Sequence, residues 1–313
     1  MSTPQKVPPG SAGVLLIHGL TGTPNELRFV ARGFKAAGFE AECVRLAGHC
    51  GTEEDLLATG WKDWFASVEE AASALREKVK HLFVTGLSMG SVLALKYAIE
   101  HPEKVAGLGL YGTTFFYDGW SIPRIWRSRN LIAFLAPFVA LGIGRHWRFM
   151  EKYPFGLKNE RLRQAITSKM QAGDSEAAGL PGNPWPSLHQ FYLLSSNVQK
   201  NLHRVHTPTI AVHAREDDVS SLANLHIIER RLKGPLEAVI LADSYHMVTL
   251  DQEKATLVDR SVDFFNRIVA RAATKENSAH NPPPPQAGEG VIVGRDALGA
   301  PPLPQPHAGE GVL

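Results

Sequence analysis

Cysteine is nearly absent from this chain, neither sign of charge predominates, and no apolar run is long enough to cross a bilayer. The two cysteines, Cys43 and Cys50, lie too close together to staple distant segments and lack the spacing of a metal site. A disulfide scaffold is therefore excluded, and a reducing, cytoplasmic setting fits. Lys and Arg number 33 against 31 Asp and Glu, a net charge of +2 that recommends neither nucleic acid nor an anionic membrane as partner. The longest apolar stretch, residues 131–143, falls short of the ~18 residues a transmembrane helix needs and reads as a buried or interfacial helix. Residues 1–10 hold one Lys, two adjacent prolines and no apolar stretch, so no secretory signal is expected there.

What the chain does have is apolar content, 44% of 313 residues, enough for a large core. Its order is an alternation. Short continuous apolar runs at residues 13–17, 41–46, 81–85, 105–111, 208–213 and 236–241 read as strands buried on both faces. Between and after them, residues 24–37, 61–80, 91–101, 220–233 and 252–271 carry helical spacing, with Pro or Gly at several of their ends. This pattern predicts a mainly parallel, doubly wound sheet covered by helices on both faces. Residues 115–197 break the rhythm. They are aromatic, proline-punctuated and helical where periodic, and are expected to form a helical cap inserted between a first core segment (1–114) and a second (198–273). From residue 274 on, two imperfect Pro/Gly-rich copies, around 282–290 and 301–311, predict a disordered tail without a catalytic role.

One motif carries the chemistry. Gly86-Leu87-Ser88-Met89-Gly90 sits between an apolar strand and a buried helix, where a tight turn raises a serine hydroxyl and the flanking glycines remove Cβ atoms that would collide. A serine hydroxyl is a weak nucleophile near neutral pH, so Ser88 needs a base and a group to orient that base. Asp217 and Asp218 follow the strand ending at His213, and His246 follows the strand ending at Leu241. All would emerge at the sheet edge that carries Ser88, in the order Ser, Asp, His of doubly wound hydrolases. On position alone, either aspartate could be the acid.

These residues, with His18-Gly19-Leu20-Thr21-Gly22, Gly48-His49-Cys50-Gly51, residues 59–64 and Ser244-Tyr245-His246 through Asp251, resemble the α/β-hydrolases, specifically the small carboxylesterase and monoacylglycerol-lipase group. The likeness covers about residues 12–114 and 205–268. It implies an α/β-hydrolase fold and a serine hydrolase acting on carboxylic esters, with the acid at Asp217 after Ala214-Arg215-Glu216. It further implies an oxyanion hole from the backbone N–H groups of Leu20 and Met89, with His18 as a buttress of that loop. The family's loop usually reads Gly-His-Gly, so Cys50 is a departure, and Tyr245 is bulkier than the usual neighbour of the base. A medium acyl ester or monoacylglycerol is the expected substrate, contacted by Leu20, Met89, Trp120, Phe134, Phe138 and Met247. No metal or organic cofactor is implied. An acyltransferase or thioesterase would use the same triad, and a ligand receptor on a hydrolase scaffold is the reading from another class. A dehalogenase would place Asp where this chain has Ser88.

Overall fold

The computed structural model describes residues 7–8, 10–127, 138, 141–144, 147–150 and 153–280. Phe134, most of the run at 131–143, and the Pro/Gly-rich segment from residue 281 on lie outside them. The chain divides into two units, Met1–Thr274 and Lys275–Leu313, and all that follows concerns the first except for the end of the last helix.

In chain order the first half runs β1 (Ala12–Ile17), α1 (Arg28–Ala36), β2 (Glu40–Val44), α2 (Glu53–Leu57), α3 (Trp61–Arg76), β3 (His81–Leu87), α4 (Met89–Glu100) and β4 (Gly107–Tyr111). A middle stretch follows with β5 (Arg148–Met150), α5 (Glu160–Gln171), α6 (Ser175–Ala178), β6 (Gly182–Pro184) and α7 (Trp185–Asn201). The alternation then returns with β7 (Thr209–Ala214), α8 (Leu222–Arg231), β8 (Leu236–Leu241) and α9 (Lys254–His280). The main sheet has the order β2-β1-β3-β4-β7-β8, every pairing parallel, while β5 and β6 form a separate antiparallel pair.

Continuous apolar strands follow from this layering, because a pleated strand sends alternate side chains to opposite faces. Leu15 and Ile17 of β1 join Trp64 and Val68 of α3 and Leu93 of α4 on one face. Val14 and Leu16 join Phe34 of α1 and Phe265 of α9 on the other. There Phe83 and Phe265 stack with ring centroids 4.2 Å apart, and Phe34 lies 5.4 Å from Phe265 on its other contact. Each such buried ring contributes on the order of 1.5–3 kcal/mol by burial.

Two boundaries differ from the sequence pattern. The stretch at 24–37 is a one-turn 3₁₀ helix, Pro24–Leu27, followed by α1, since Thr23 and Glu26 form a capping box that tightens the first turn. The last helix runs on to His280 instead of ending near Arg271. Good helix formers such as Ala270, Ala272, Ala273, Lys275 and Glu276 continue it, and the first proline comes only at Pro282.

Parallel order brings every strand's carboxyl end to one edge, and the chain leaves β1 toward β2 but returns on its other side as β3. That reversal opens a crevice between the ends of β1 and β3, the usual ligand position on such sheets. Buried His18 fixes the β1 side: its Nδ1 lies 2.9 Å from Gly19 O, and its Nε2 accepts from Leu46 N–H at 3.3 Å. His49 packs edge-on against the rings of His18 and Trp64 and bonds Ala47 O through Nδ1 at 3.0 Å. Burial, followed by the charge of His49, pushes His18 down to about 3, and burial pushes His49 down to about 4.

Both imidazoles therefore stay neutral in the fold while their unfolded counterparts protonate below about 6.5. Stability present above that pH is lost as pH falls toward 4, each buried histidine contributing a slope of about 1.4 kcal/mol per pH unit. His49→Phe is expected to flatten the fall of unfolding free energy between pH 6.5 and 4 by about one proton's worth. Denaturant titrations across that range measure it, and an unchanged slope contradicts the assignment.

Candidate active site

Ser88 occupies the junction of β3 and α4 with φ 55° and ψ −117°, a conformation that non-glycine residues rarely adopt. Such backbone strain costs on the order of 1–3 kcal/mol and persists only where the surroundings over-determine it. Here they do. Ser88 N donates to Tyr111 O of β4 at 2.8 Å, and Ser91 Oγ contacts Gly86 O at 2.6 Å while accepting from Tyr111 N at 3.0 Å. A Cβ on Gly86 would collide with the Gly90 carbonyl, and one on Gly90 with Ile17 O at the end of β1. The glycines thus let three backbones meet under the serine.

Buried His246 lies after β8 with its Nδ1 2.9 Å from Oδ2 and 3.1 Å from Oδ1 of Asp217. A carboxylate only accepts, so Nδ1 carries the proton and the lone pair of the neutral ring lies on Nε2. Asp217 Oδ1 also accepts the N–H groups of Val219 (2.9 Å) and Ser220 (2.7 Å). A second buried imidazole, His213, bonds Ser220 O through Nε2 at 2.8 Å and stands 3.4 Å from Asp217 Oδ2. Burial acts to raise the Asp217 carboxyl, but the charge and hydrogen bond of His246, His213 and the Ser220 N–H outweigh it and hold the group below the usual range.

Asp218 has a different task. Its Oδ1 accepts from His246 N at 3.2 Å and its Oδ2 from Gly156 N at 3.0 Å, and Met247 N returns a 2.8 Å bond to Gly156 O. Burial and the neighbouring Asp217 charge raise its carboxyl. Asp251, fully buried, accepts from Tyr245 N (2.8 Å), Lys158 N (2.9 Å) and Asn159 N (2.9 Å). Two carboxylates therefore fasten residues 156–159 to the loop that presents His246.

The Gly19–Thr23 loop forms the opposite wall. Glu26 accepts from Gly19 N and Thr23 N, each at 3.3 Å, and Thr21 O accepts from Leu180 N at 3.0 Å. Position 50 lies at φ 65°, where glycine is favoured, which accounts for the glycine usual in that loop; Cys50 adopts it with Sγ 4.0 Å from Gly22 O. Tyr245 turns aside, its ring edge-on to Trp120 and beneath Lys158 Nζ.

Between these walls is a cavity of about 270 Å³ that touches Ser88, His246, Gly19 and Leu20. Leu157, Leu162, Ile166 and Met170 are among its apolar lining residues, with Glu26 and Asn183 among its polar ones. Of the residues expected to meet substrate, Leu20 and Met247 line it. Met89 is buried at the start of α4. Neither Trp120, exposed and bonded through Nε1 to Glu216 O, nor exposed Phe138 is among the lining residues, and Phe134 lies outside the described residues. Sequence reasoning missed the walls from α5 and the bonds of Glu26, and it named Asp218 and Asp251 without their tethering roles. Only Glu26 had a local signal, the Thr-x-x-Glu capping box.

Comparison with known proteins identifies the family. The family model described as serine aminopeptidase S33 (Hydrolase_4) matches residues 8–253. The chain is 31% identical over 257 residues to a thermostable monoacylglycerol lipase of Bacillus sp. (strain H-257), covering 82% of this chain and 91% of the relative. It is 23% identical over 266 residues to a carboxylesterase of Bacillus subtilis (strain 168), covering 83% and 94%. A solved structure of the metagenome-derived lipolytic enzymes LipS and LipT superposes with a TM-score of 0.63 at 29% identity, covering 84% of this chain and 97% of the other. With its parallel sheet, its serine elbow and these relatives, the chain belongs to the serine aminopeptidase S33 family of α/β-hydrolases and is a carboxylic ester hydrolase of the lipase and esterase type.

Proposed function

We propose that the enzyme cleaves medium-chain acyl esters or monoacylglycerols through an acyl-enzyme on Ser88. The observation that carries this reading is a single cavity bounded by the strained serine and by a histidine whose Nδ1 is tied to Asp217. His246 Nε2 takes the Ser88 proton as Oγ attacks the ester carbonyl, and the carbonyl electron pair moves onto oxygen. The backbone N–H groups of Leu20 and Met89 receive that oxyanion, the second at the positive end of α4. Protonated His246 gives its proton to the departing alcohol. It then activates water, which attacks the acyl carbon and frees Ser88. Asp217 keeps the imidazole in the productive tautomer and stabilises its cationic form.

Substrate preference follows from the cavity. Its apolar wall from α5 suits an acyl chain, and its volume of about 270 Å³ lies just below the usual range for small-molecule sites. A relative named as a monoacylglycerol lipase supports the same class. Residues 115–197 then act as a cap inserted in a core of residues 1–114 and 198–273, donating most of that wall. The free thiols of Cys43 and Cys50 support a reducing, cytoplasmic location.

Hydrolysis of a p-nitrophenyl ester series is expected to peak at medium acyl length and to vanish in Ser88→Ala while that variant melts normally. A flat series beyond two carbons contradicts the substrate class, and turnover retained by Ser88→Ala contradicts the nucleophile. The two aspartates separate by role: Asp217→Asn is expected to lower kcat on the order of a thousandfold or more by releasing the tautomer. Asp218→Asn instead disturbs a tether, with a far smaller loss in kcat and a lower melting temperature. Equal losses in kcat overturn the assignment of the acid.

A further inference from the structure

The Thr114 hydroxyl stands 3.0 Å from Ser88 Oγ, nearer than any role yet given to it explains. Thr114 is fully buried just beyond β4, and its Oγ1 also lies 3.1 Å from Gly112 O. The Gly112 backbone in turn runs against the His246 ring, where a Cβ on Gly112 would sit 3.5 Å from Nδ1. One hydroxyl thus borders both the nucleophile and the backbone that supports the base. It has a single proton and two oxygens in reach, and a carbonyl can only accept. With the proton on Gly112 O, Ser88 must donate to Thr114, and its own proton points away from the base. With the proton on Ser88 Oγ, the serine's proton is left for His246.

We propose that Thr114 is a further catalytic residue, a hydroxyl that donates to Ser88 Oγ while that oxygen carries developing negative charge and turns to Gly112 O when it is an ester. This rests on Ser88 being the nucleophile. In acylation the bond from Oγ to the acyl carbon forms, the Oγ–H bond breaks with its proton passing to His246 Nε2, and the carbonyl pair moves to the oxyanion; that pair then returns as the bond to the alcohol oxygen breaks and the alcohol leaves with the proton from His246. Thr114 keeps its own proton and lends it as a hydrogen bond. In deacylation the bond from the acyl carbon to Oγ breaks, and the departing oxygen takes a proton from His246 while again accepting from Thr114. A neutral hydroxyl serves here because it needs no titration and can reverse its partner by rotation alone.

The test separates hydroxyl from methyl. Thr114→Val keeps the shape and loses the donor, whereas Thr114→Ser keeps the donor and loses the methyl. Covalent inactivation by a fluorophosphonate, read by intact mass and by mapping to the peptide holding Ser88, reports acylation without needing the natural substrate. Thr114→Val is expected to be inactivated about tenfold more slowly than the unaltered enzyme, the effect of one hydrogen bond to a charged oxygen. Thr114→Ser is expected to recover most of that rate despite the lost methyl. Should Thr114→Val fail to fold, Thr114→Ala beside Thr114→Ser makes the same comparison. Inactivation of Thr114→Val at the unaltered rate overturns the proposal, as does a slow Thr114→Ser beside a fast Thr114→Val, which would mark a packing role. Failure of the unaltered enzyme to label at Ser88 overturns the nucleophile assignment instead.

Discussion

Everything at this site depends on one strained backbone position. Ser88 has a positive φ because three main chains, the end of β1, the end of β3 and the start of α4, approach more closely than side chains allow, and Gly86 and Gly90 permit that approach. The strain is met by the parallel ladder on either side and by a bond from Ser88 N to β4. In return the serine at the head of α4 borders the crevice at the sheet edge. Relaxing the turn would dissolve the alignment.

A second constraint is electrostatic and lies across the sheet. Two adjacent aspartates leave β7 and divide their work by geometry: Asp217 turns inward to the His246 ring, and Asp218 turns to backbone N–H groups of His246 and Gly156. Their pKa directions diverge accordingly, downward for the carboxyl whose partners outweigh its burial and upward for the one beside a buried charge. Asp251 repeats the tethering one turn away. Segment 156–159 and the histidine loop are consequently fixed to each other, so the wall of the cavity and the base share the same anchors.

Much of this was legible in the sequence. Strands buried on both faces advertise themselves as apolar runs, and since parallel strands share one carboxyl edge, Ser88, Asp217 and His246 could be brought together by counting strand ends. Position alone did not choose between Asp217 and Asp218; family resemblance pointed to Asp217, the aspartate that bonds His246 Nδ1 in the structure. The cavity wall was harder. Leu162, Ile166 and Met170 lie at ordinary helical spacing in α5, and nothing local says that they face an opening rather than a core. Thr114, Asp218 and Asp251 act through contacts with residues far along the chain, which no local pattern reveals. Even the end of α9 was decided by helix propensity beyond Arg271.

In the proposed reaction an acyl group passes through Ser88. Rapid quenching of the enzyme during turnover of a medium-chain ester, followed by peptide mass spectrometry, tests it most directly. A mass increment equal to the acyl group is expected on the peptide that contains Gly86 to Gly90, appearing as fast as the first equivalent of alcohol is released. Turnover with no adduct on that peptide, or with the acyl group on another residue, would contradict it.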